Sequence, residues 1–88
     1  MIFIIYGKYR KKPTKELNAQ VLKLFEQMAK EGIKFIAQYW TLGRYDVTAI
    51  AEAKDEKTFM KAMIRFGDLI SSETAIAVPR EEAAKLLD

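Results

Sequence analysis

The residues with the greatest potential for chemistry are Tyr45 and Asp46, which follow one another after a predicted turn. Aspartate is disfavoured in strands, so a carboxylate at position 46 must be hydrogen-bonded, paired or hydrated. One hypothesis makes Asp46 a base in a cleft, with Tyr45 taking part in proton transfer. The other makes Asp46 a brace for the hairpin, acting through the Thr41 hydroxyl or across a subunit interface. The sequence leaves both open.

A second group of residues suits the binding of a small molecule. Four side chains are predicted to line a pocket between the sheet and the helices: Tyr6, Gln38, Trp40 and Tyr45. A few polar groups among aromatic surfaces are typical of such pockets. Arg44, at the tip of the turn, is a candidate to bind an anionic group or to pair with a neighbouring acid. The alternative is that these aromatic residues are ordinary core.

The residue types that are absent exclude several kinds of chemistry. The chain contains no Cys and no His. It can therefore form no disulfide, no thiolate nucleophile and no serine–histidine triad, and it lacks the usual ligands of zinc. No acidic run resembles a calcium loop. We predict neither a metal site nor a resident cofactor, so that chemistry would fall to carboxylates, Tyr, Lys, Arg, Ser or Thr.

Length and charge indicate a small globular protein. The 88 residues are predicted to form one domain, residues 1–88, with 15 Lys and Arg against 12 Asp and Glu and a net charge of +3. No apolar run reaches the roughly 18 residues of a membrane span. The first residues lack the charged start and cleavage site of a signal peptide, so we expect a cytoplasmic protein. Abundant Lys and Glu suit a heat-adapted source.

Hydrophobic periodicity alternates between strand and helix along the chain. The strands are predicted at residues 2–9, 33–42, 45–53 and 73–78. With one helix after the first strand and another after the third, the order is β-α-β-β-α-β. This order predicts an α+β, ferredoxin-like fold, in which both helices cover one face of a four-stranded antiparallel sheet.

The ends of the helices carry recognisable residue types. Thr14 suits the N-cap of the first helix, and Gly32 suits its end. Asp55 and Gly67 bound the second helix in the same way. Pro79 is expected at the first position of a short C-terminal helix. Three apolar residues of that last segment are predicted to face inward: Ala83, Leu86 and Leu87.

A two-residue turn of type II′ at Gly43-Arg44 would set the register of the central hairpin. One face then pairs Leu42 with Tyr45, Trp40 with Val47, Gln38 with Ala49, and Ile36 with Ala51. The other face pairs Thr41 with Asp46, Tyr39 with Thr48, Ala37 with Ile50, and Phe35 with Glu52. We expect the first face to lie under the helices.

The second face leaves an apolar patch, so we predict a homodimer or higher homo-oligomer that packs sheet against sheet. The alternative is a monomer in which one face of the sheet is in contact with water.

Other uses of this order of elements are not supported. RNA-recognition domains stack bases on aromatic residues of the third strand. After Tyr45 the third strand here has no aromatic and no basic residue. Glycine patterns that bind phosphates or dinucleotides are also missing. We therefore predict no nucleic-acid partner and no membrane partner.

The hairpin resembles a known family. Gly43, Tyr45 and Asp46, with Arg44 between the first two, are similar to the Gly, Tyr, Asp motif that names the GYD family of small bacterial and archaeal proteins. The resemblance continues through residues 48–53 and the second helix to residues 72–74. It implies a ferredoxin-like fold of the dimeric α/β-barrel kind, and it implies no particular activity. Related barrels include cofactor-free monooxygenases, isomerases and effector-binding modules.

Two functions follow as hypotheses. The first is an oligomeric small-molecule-binding or regulatory module with a pocket near Tyr6 and Trp40. The second is a cofactor-independent enzyme, an isomerase or monooxygenase, in which Asp46, Tyr45 or Tyr6 moves a proton and Arg44 holds an anion. The absence of His and Cys favours the first, because it removes the commonest catalytic groups.

Overall fold

The computed structural model describes residues 1–87. Its elements are β1 (Ile2–Tyr9), α1 (Lys15–Lys30), β2 (Lys34–Trp40), β3 (Val47–Glu52), α2 (Glu56–Ile64), β4 (Ile70–Ala77) and α3 (Arg80–Ala84). The strands form one antiparallel sheet in the order β2-β3-β1-β4. The predicted α+β, ferredoxin-like fold is confirmed. Among the described residues, no helix is both long enough and apolar enough to span a membrane.

Both long helices begin at the predicted caps. The Thr14 hydroxyl accepts a hydrogen bond from the Leu17 N–H at 3.1 Å, and the Asp55 carboxylate accepts one from the Thr58 N–H at 2.8 Å. The bond from the Thr58 N–H lowers the pKa of Asp55. Each cap satisfies a backbone donor that the helix itself leaves free. Helix α1 is followed by Gly32 at a φ of 91°, as the sequence predicts.

Two boundaries differ from the prediction at the far end of the sheet. Helix α2 ends at Ile64, three residues before Gly67, and β4 begins at Ile70 instead of residue 73. The extra residues of β4 pair with the end of β1, where Ile70 lies opposite Tyr9. The length of β4 is therefore decided by its partner strand, which offers backbone groups to bond along its whole length.

The core lies between the helices and one face of the sheet, called here the helix face. Phe3, Ile5 and Ala51 reach it from the strands, because alternate residues of a strand point to the same side. Phe59 of α2 stacks on Phe3, with ring centroids 4.1 Å apart and planes within 4°. Met28 of α1 is completely buried.

An ion pair joins the ends of the two long helices. The Arg65 guanidinium donates two hydrogen bonds to the Glu31 carboxylate, and the bond from Nη2 to Oε2 measures 2.7 Å. These hydrogen bonds hold the pKa of Glu31 below its usual value. The paired geometry suits a guanidinium and a carboxylate. It fixes the end of α1 against the end of α2.

The register of the central hairpin agrees with the prediction in its middle and departs from it at both ends. Trp40 lies opposite Val47, and Ala37 lies opposite Ile50, as predicted. A bulge between Phe35 and Ala37 then places Phe35 opposite Ala51. The prediction that Phe35 faces away from the helices is wrong. Its ring packs edge-on against Phe25 of α1, with centroids 4.8 Å apart, and the bulge gives it that apolar contact.

The prediction of a two-residue turn is also wrong. The Thr41 N–H donates to the Asp46 carbonyl at 2.7 Å, and the Thr41 hydroxyl donates to the Tyr45 carbonyl at 2.7 Å. These bonds close a longer hairpin loop (residues 41–46) before Leu42 can pair with Tyr45. Leu42 is fully exposed and does not pack under the helices. Gly43 has a φ of 114°, so the need for glycine at that position is confirmed.

The face of the sheet turned away from the helices is called here the open face. Its uncharged members are Ile2, Ile4, Tyr6, Ala37, Tyr39, Thr48, Ile50, Ser71, Ala75 and Ala77. The side chains of Tyr6 and Tyr39 are 41% and 60% exposed.

The inward orientation predicted for Leu86 and Leu87 is wrong, because each is 80% exposed beyond the last residue of α3. The chain thus leaves a large apolar area in contact with water.

Candidate binding cavity and hairpin loop

A cavity of about 250 Å³ lies between the helix face of the sheet and the two long helices. Its floor is made by small and branched residues of the sheet: Ile5, Gly7, Val47 and Ala49. Its roof is made by apolar residues of the helices and of the turn that follows α2: Val21, Phe25, Met63 and Phe66. An engineered apolar cavity of roughly 150 Å³ binds benzene, so this volume leaves room for a larger ring compound.

The size of the cavity depends on two small residues in its floor. Gly7 and Ala49 bring little side-chain volume into the space below the helices. A Cβ at position 7 would lie 2.8 Å from the Cγ2 atoms of both Ile70 and Val47, so the neighbouring strands close tightly over this glycine. The floor is thus low at Gly7, and no larger residue fits there without displacing its neighbours.

The chemical character of the lining is apolar with a few neutral polar groups. Of residues 1–87, no Asp, Glu, Lys or Arg lines the cavity. The neutral polar residues at the cavity are Tyr9, Asn18, Gln38, Trp40 and Ser72, together with Tyr39 and Thr48, whose side chains belong to the open face. A charged ligand would lose hydration there without an opposite charge to compensate. The lining therefore suits an uncharged, largely apolar molecule.

Two aromatic residues meet at the exposed end of the cavity. The rings of Tyr9 and Trp40 pack edge to face, with centroids 5.9 Å apart. Trp40 is 66% exposed, whereas Tyr9 is half-buried against the core. The only tryptophan of the chain thus borders the cavity with its neighbour Tyr9.

The carboxylate of Asp46 holds the end of β1. It accepts a hydrogen bond from the Tyr9 N–H at 2.8 Å, while the Asp46 N–H donates to the Gly7 carbonyl at 2.9 Å. Asp46 thereby continues the contact between β1 and the hairpin where the regular ladder ends at Gly7 and Val47. Burial raises the pKa of the Tyr9 hydroxyl, and the negative charge of Asp46 raises it further. The brace acts on Tyr9, and the Thr41 hydroxyl is engaged with Tyr45 instead.

Tyr45 extends over the open face. Its ring lies 5.2 Å from that of Tyr6, and its hydroxyl donates to Glu73 Oε2 at 2.9 Å. Tyr6 and Glu73 are direct neighbours on β1 and β4, so they present adjacent groups to the loop. The bond to Glu73 raises the pKa of Tyr45. The Arg44 guanidinium lies over the Tyr45 ring, 5.6 Å from its centre.

A sequence model described as "GYD domain" matches residues 3–87. The chain belongs to the GYD domain family. No curated protein matches this GYD domain. Its hairpin loop carries the glycine, tyrosine and aspartate after which the family is named, and each has a contact or conformation described above. The glycine permits the turn, the tyrosine reaches the open face, and the aspartate binds the end of β1.

Two solved structures resemble this GYD domain. One is the 5-chloro-2-hydroxyhydroquinone dehydrochlorinase TftG from Burkholderia phenoliruptrix AC1100, in complex with 2,5-dihydroxybenzoquinone. The two sequences are 17% identical, the match covers 93% of this chain and 98% of TftG, and the TM-score is 0.56. The other is SnoaB, a cofactor-independent oxygenase from Streptomyces nogalater, with 16% identity, 90% and 92% coverage, and a TM-score of 0.55. At these identities the similarity shows a shared fold.

The residues predicted to bind a ligand are divided between two faces of the GYD domain. Gln38 and Trp40 line the cavity. Tyr6, Arg44 and Tyr45 form a separate group on the opposite side of the sheet.

Asp46 does not line the cavity; its carboxylate bonds to the backbone of Tyr9 and its N–H to the backbone of Gly7, and both of those residues do line it. Within residues 1–87, no three acidic side chains are gathered as metal ligands would be.

Tyr9 is one of the cavity residues that the sequence analysis did not identify. The alternation of Phe3, Ile5 and Gly7 along β1 continues to Tyr9 and places it on the helix face. That pattern was available in the sequence. Lys8 and Arg10 on either side of Tyr9 are charged, so composition alone also suits a solvated segment.

Proposed function

We propose that this GYD domain is a small-molecule-binding module whose ligand occupies the cavity between the sheet and the helices. The observation that supports this function is the cavity itself, which is lined by apolar residues and neutral polar groups. Pockets built in this way bury most of a small ligand and orient it with few hydrogen bonds. The ligand class that fits is an uncharged ring compound. TftG, which shares the fold, is seen with a benzoquinone bound, and this agrees with a ring ligand.

We further propose that two copies pack through their open faces. Ile4 and Ile50 lie opposite one another in the middle of that face, and Ala37 adjoins Ile50 from β2. A second copy would remove this apolar surface from water and add to the small core of an 88-residue chain. Native mass spectrometry of the purified chain gives the oligomeric state, together with any molecule retained in the cavity. A dimer mass supports the packing, and a monomer at micromolar concentration contradicts it.

Filling the cavity tests the binding function. We expect Ala49→Leu to abolish binding of a ring ligand, because the larger side chain extends from the floor into the space that the ligand needs. Its melting temperature should stay the same or rise, since new apolar contacts fill a void. The probe is 1-indanone, and the readout is the shift of the Trp40 indole N–H signal in a nitrogen–proton NMR spectrum.

The matched control for that variant is Ala84→Leu, which makes the same change on the exposed side of α3. It should bind 1-indanone as the unsubstituted chain does. Binding that survives in Ala49→Leu would show that the ligand lies elsewhere. Absence of binding in the unsubstituted chain, at concentrations up to the solubility of 1-indanone, would contradict the proposed function.

A cofactor-independent enzyme is the second candidate function, because SnoaB, with the same fold, is an oxygenase that needs no cofactor. In such an enzyme, the charge of Asp46 would make the Tyr9 hydroxyl hold its proton more tightly, because it raises the pKa of that hydroxyl. Asp46→Asn should then abolish turnover and leave the fold intact, since the amide oxygen can still accept the bond from the Tyr9 N–H. The measurement is oxygen uptake with 1-naphthol above the uncatalysed rate. Unchanged uptake in Asp46→Asn would leave only the bracing role.

A further inference from the structure

The polar side chains at the cavity differ in their exposure to solvent and in the hydrogen bonds that they already make. Asn18, Gln38 and Ser72 are exposed to solvent, so water competes for their polar groups. Thr48 is half-buried, but its hydroxyl already donates to the Ile5 carbonyl at 3.0 Å. Tyr9 is also half-buried; its hydroxyl makes no hydrogen bond within residues 1–87 and is reached by solvent. Among the lining side chains it is the partly buried one with an uncommitted hydroxyl.

The position of Tyr9 is held from three sides. Its N–H is bound by the Asp46 carboxylate at 2.8 Å, its backbone lies in the β1–β4 ladder opposite Ile70, and its ring packs against Trp40. A donor fixed in this way needs little ordering when a ligand arrives. The hydroxyl is also kept in its protonated, donating form, because burial and the charge of Asp46 raise its pKa.

We propose that the Tyr9 hydroxyl donates a hydrogen bond to an acceptor oxygen of the bound molecule, and that the ligand is therefore an uncharged ring compound with a carbonyl group, of the ring-ketone or quinone class. This inference rests on the proposed binding function and adds the chemical group that is recognised. A neutral carbonyl suits the lining, which offers no positive charge to a carboxylate or phosphate. The apolar roof accommodates the ring.

The test compares two ligands of nearly the same shape, 1-indanone and indane, which differ in the carbonyl oxygen. Affinities are measured by the shift of the Trp40 indole N–H signal, because the chain has one tryptophan and it borders the cavity. We expect Tyr9→Phe to weaken binding of 1-indanone by about fivefold, the usual effect of losing one neutral hydrogen bond. The affinity for indane should not change, because the ring of residue 9 is retained.

The outcomes separate this inference from the function on which it rests. If both compounds bind and Tyr9→Phe weakens them equally or not at all, the role of Tyr9 is refuted and the binding function stands. If neither compound binds the unsubstituted chain, both proposals fail. Tyr6→Phe distinguishes the two faces of the sheet. A selective loss of 1-indanone binding there, in place of Tyr9→Phe, would move the recognition to the open face and refute the assignment.

Discussion

Replacing Ile50 with lysine should weaken self-association by about a hundredfold or more. Ile50 lies between Ile4 and Ala37 in the centre of the open face. In a symmetric pair of sheets the substitution is made twice, and each buried isoleucine contributes roughly 1.5–3 kcal/mol. Two lysines would also be brought close together away from water. Sedimentation velocity over a range of concentrations measures the change in the dimer dissociation constant.

The control for this variant is Ile64→Lys, which makes the same replacement at a side chain that is 72% exposed on α2. It should leave the oligomeric state as it is. If Ile50→Lys and the unsubstituted chain associate equally, the open face is not the interface. If Ile64→Lys dissociates instead, the interface includes the helices, and the cavity would lie close to it.

Replacing Phe59 with alanine should lower the free energy of unfolding by about 3–5 kcal/mol. The Phe59 side chain is 3% exposed and stacks on Phe3, so the substitution leaves a void between α2 and the sheet. Urea unfolding, followed by circular dichroism at one fixed protein concentration, measures the shift in midpoint. The concentration must be fixed because association also stabilises the folded chain.

The neighbouring residue is the reference for that measurement. Met60 is 62% exposed, so Met60→Ala should change the stability by no more than about 0.5 kcal/mol. A similar small effect for Phe59→Ala would mean that the stacked pair is not part of the stable core. A large effect for both would indicate that the exposed side of α2 is covered in the assembled protein.

The hairpin loop connects the two surfaces to which functions are assigned above. Neighbouring residues of the loop reach opposite sides of the sheet, since Tyr45 packs against Tyr6 on the open face and Asp46 bonds to Tyr9 beside the cavity. The three residues after which the family is named thus lie in one loop, which contacts both the open face and the strand beside the cavity. The geometry assigns Asp46 a bracing contact, and the cavity obtains its polar recognition from Tyr9.

Much of the fold could be predicted because its signals are local. Thr14 and Asp55 cap helices with their own side chains, and the alternation along β1 needs no knowledge of distant residues. Gly43 requires a positive φ that other residues avoid. The order of elements then restricts the topology to very few arrangements. Each of these features follows from residues that are close together in the chain.

The candidate site was decided by contacts between residues far apart in the chain. The bulge at Ile36 places Phe35 against Phe25 of α1. The hydrogen bond to Glu73 of β4 holds Tyr45 on the open face. Neither partner can be identified from the local pattern of the hairpin. A shift of one residue in register reverses the face on which a side chain lies. Local patterns of residues therefore predict the order of strands, helices and caps. Which side chains share the cavity depends on contacts between residues that are distant in sequence.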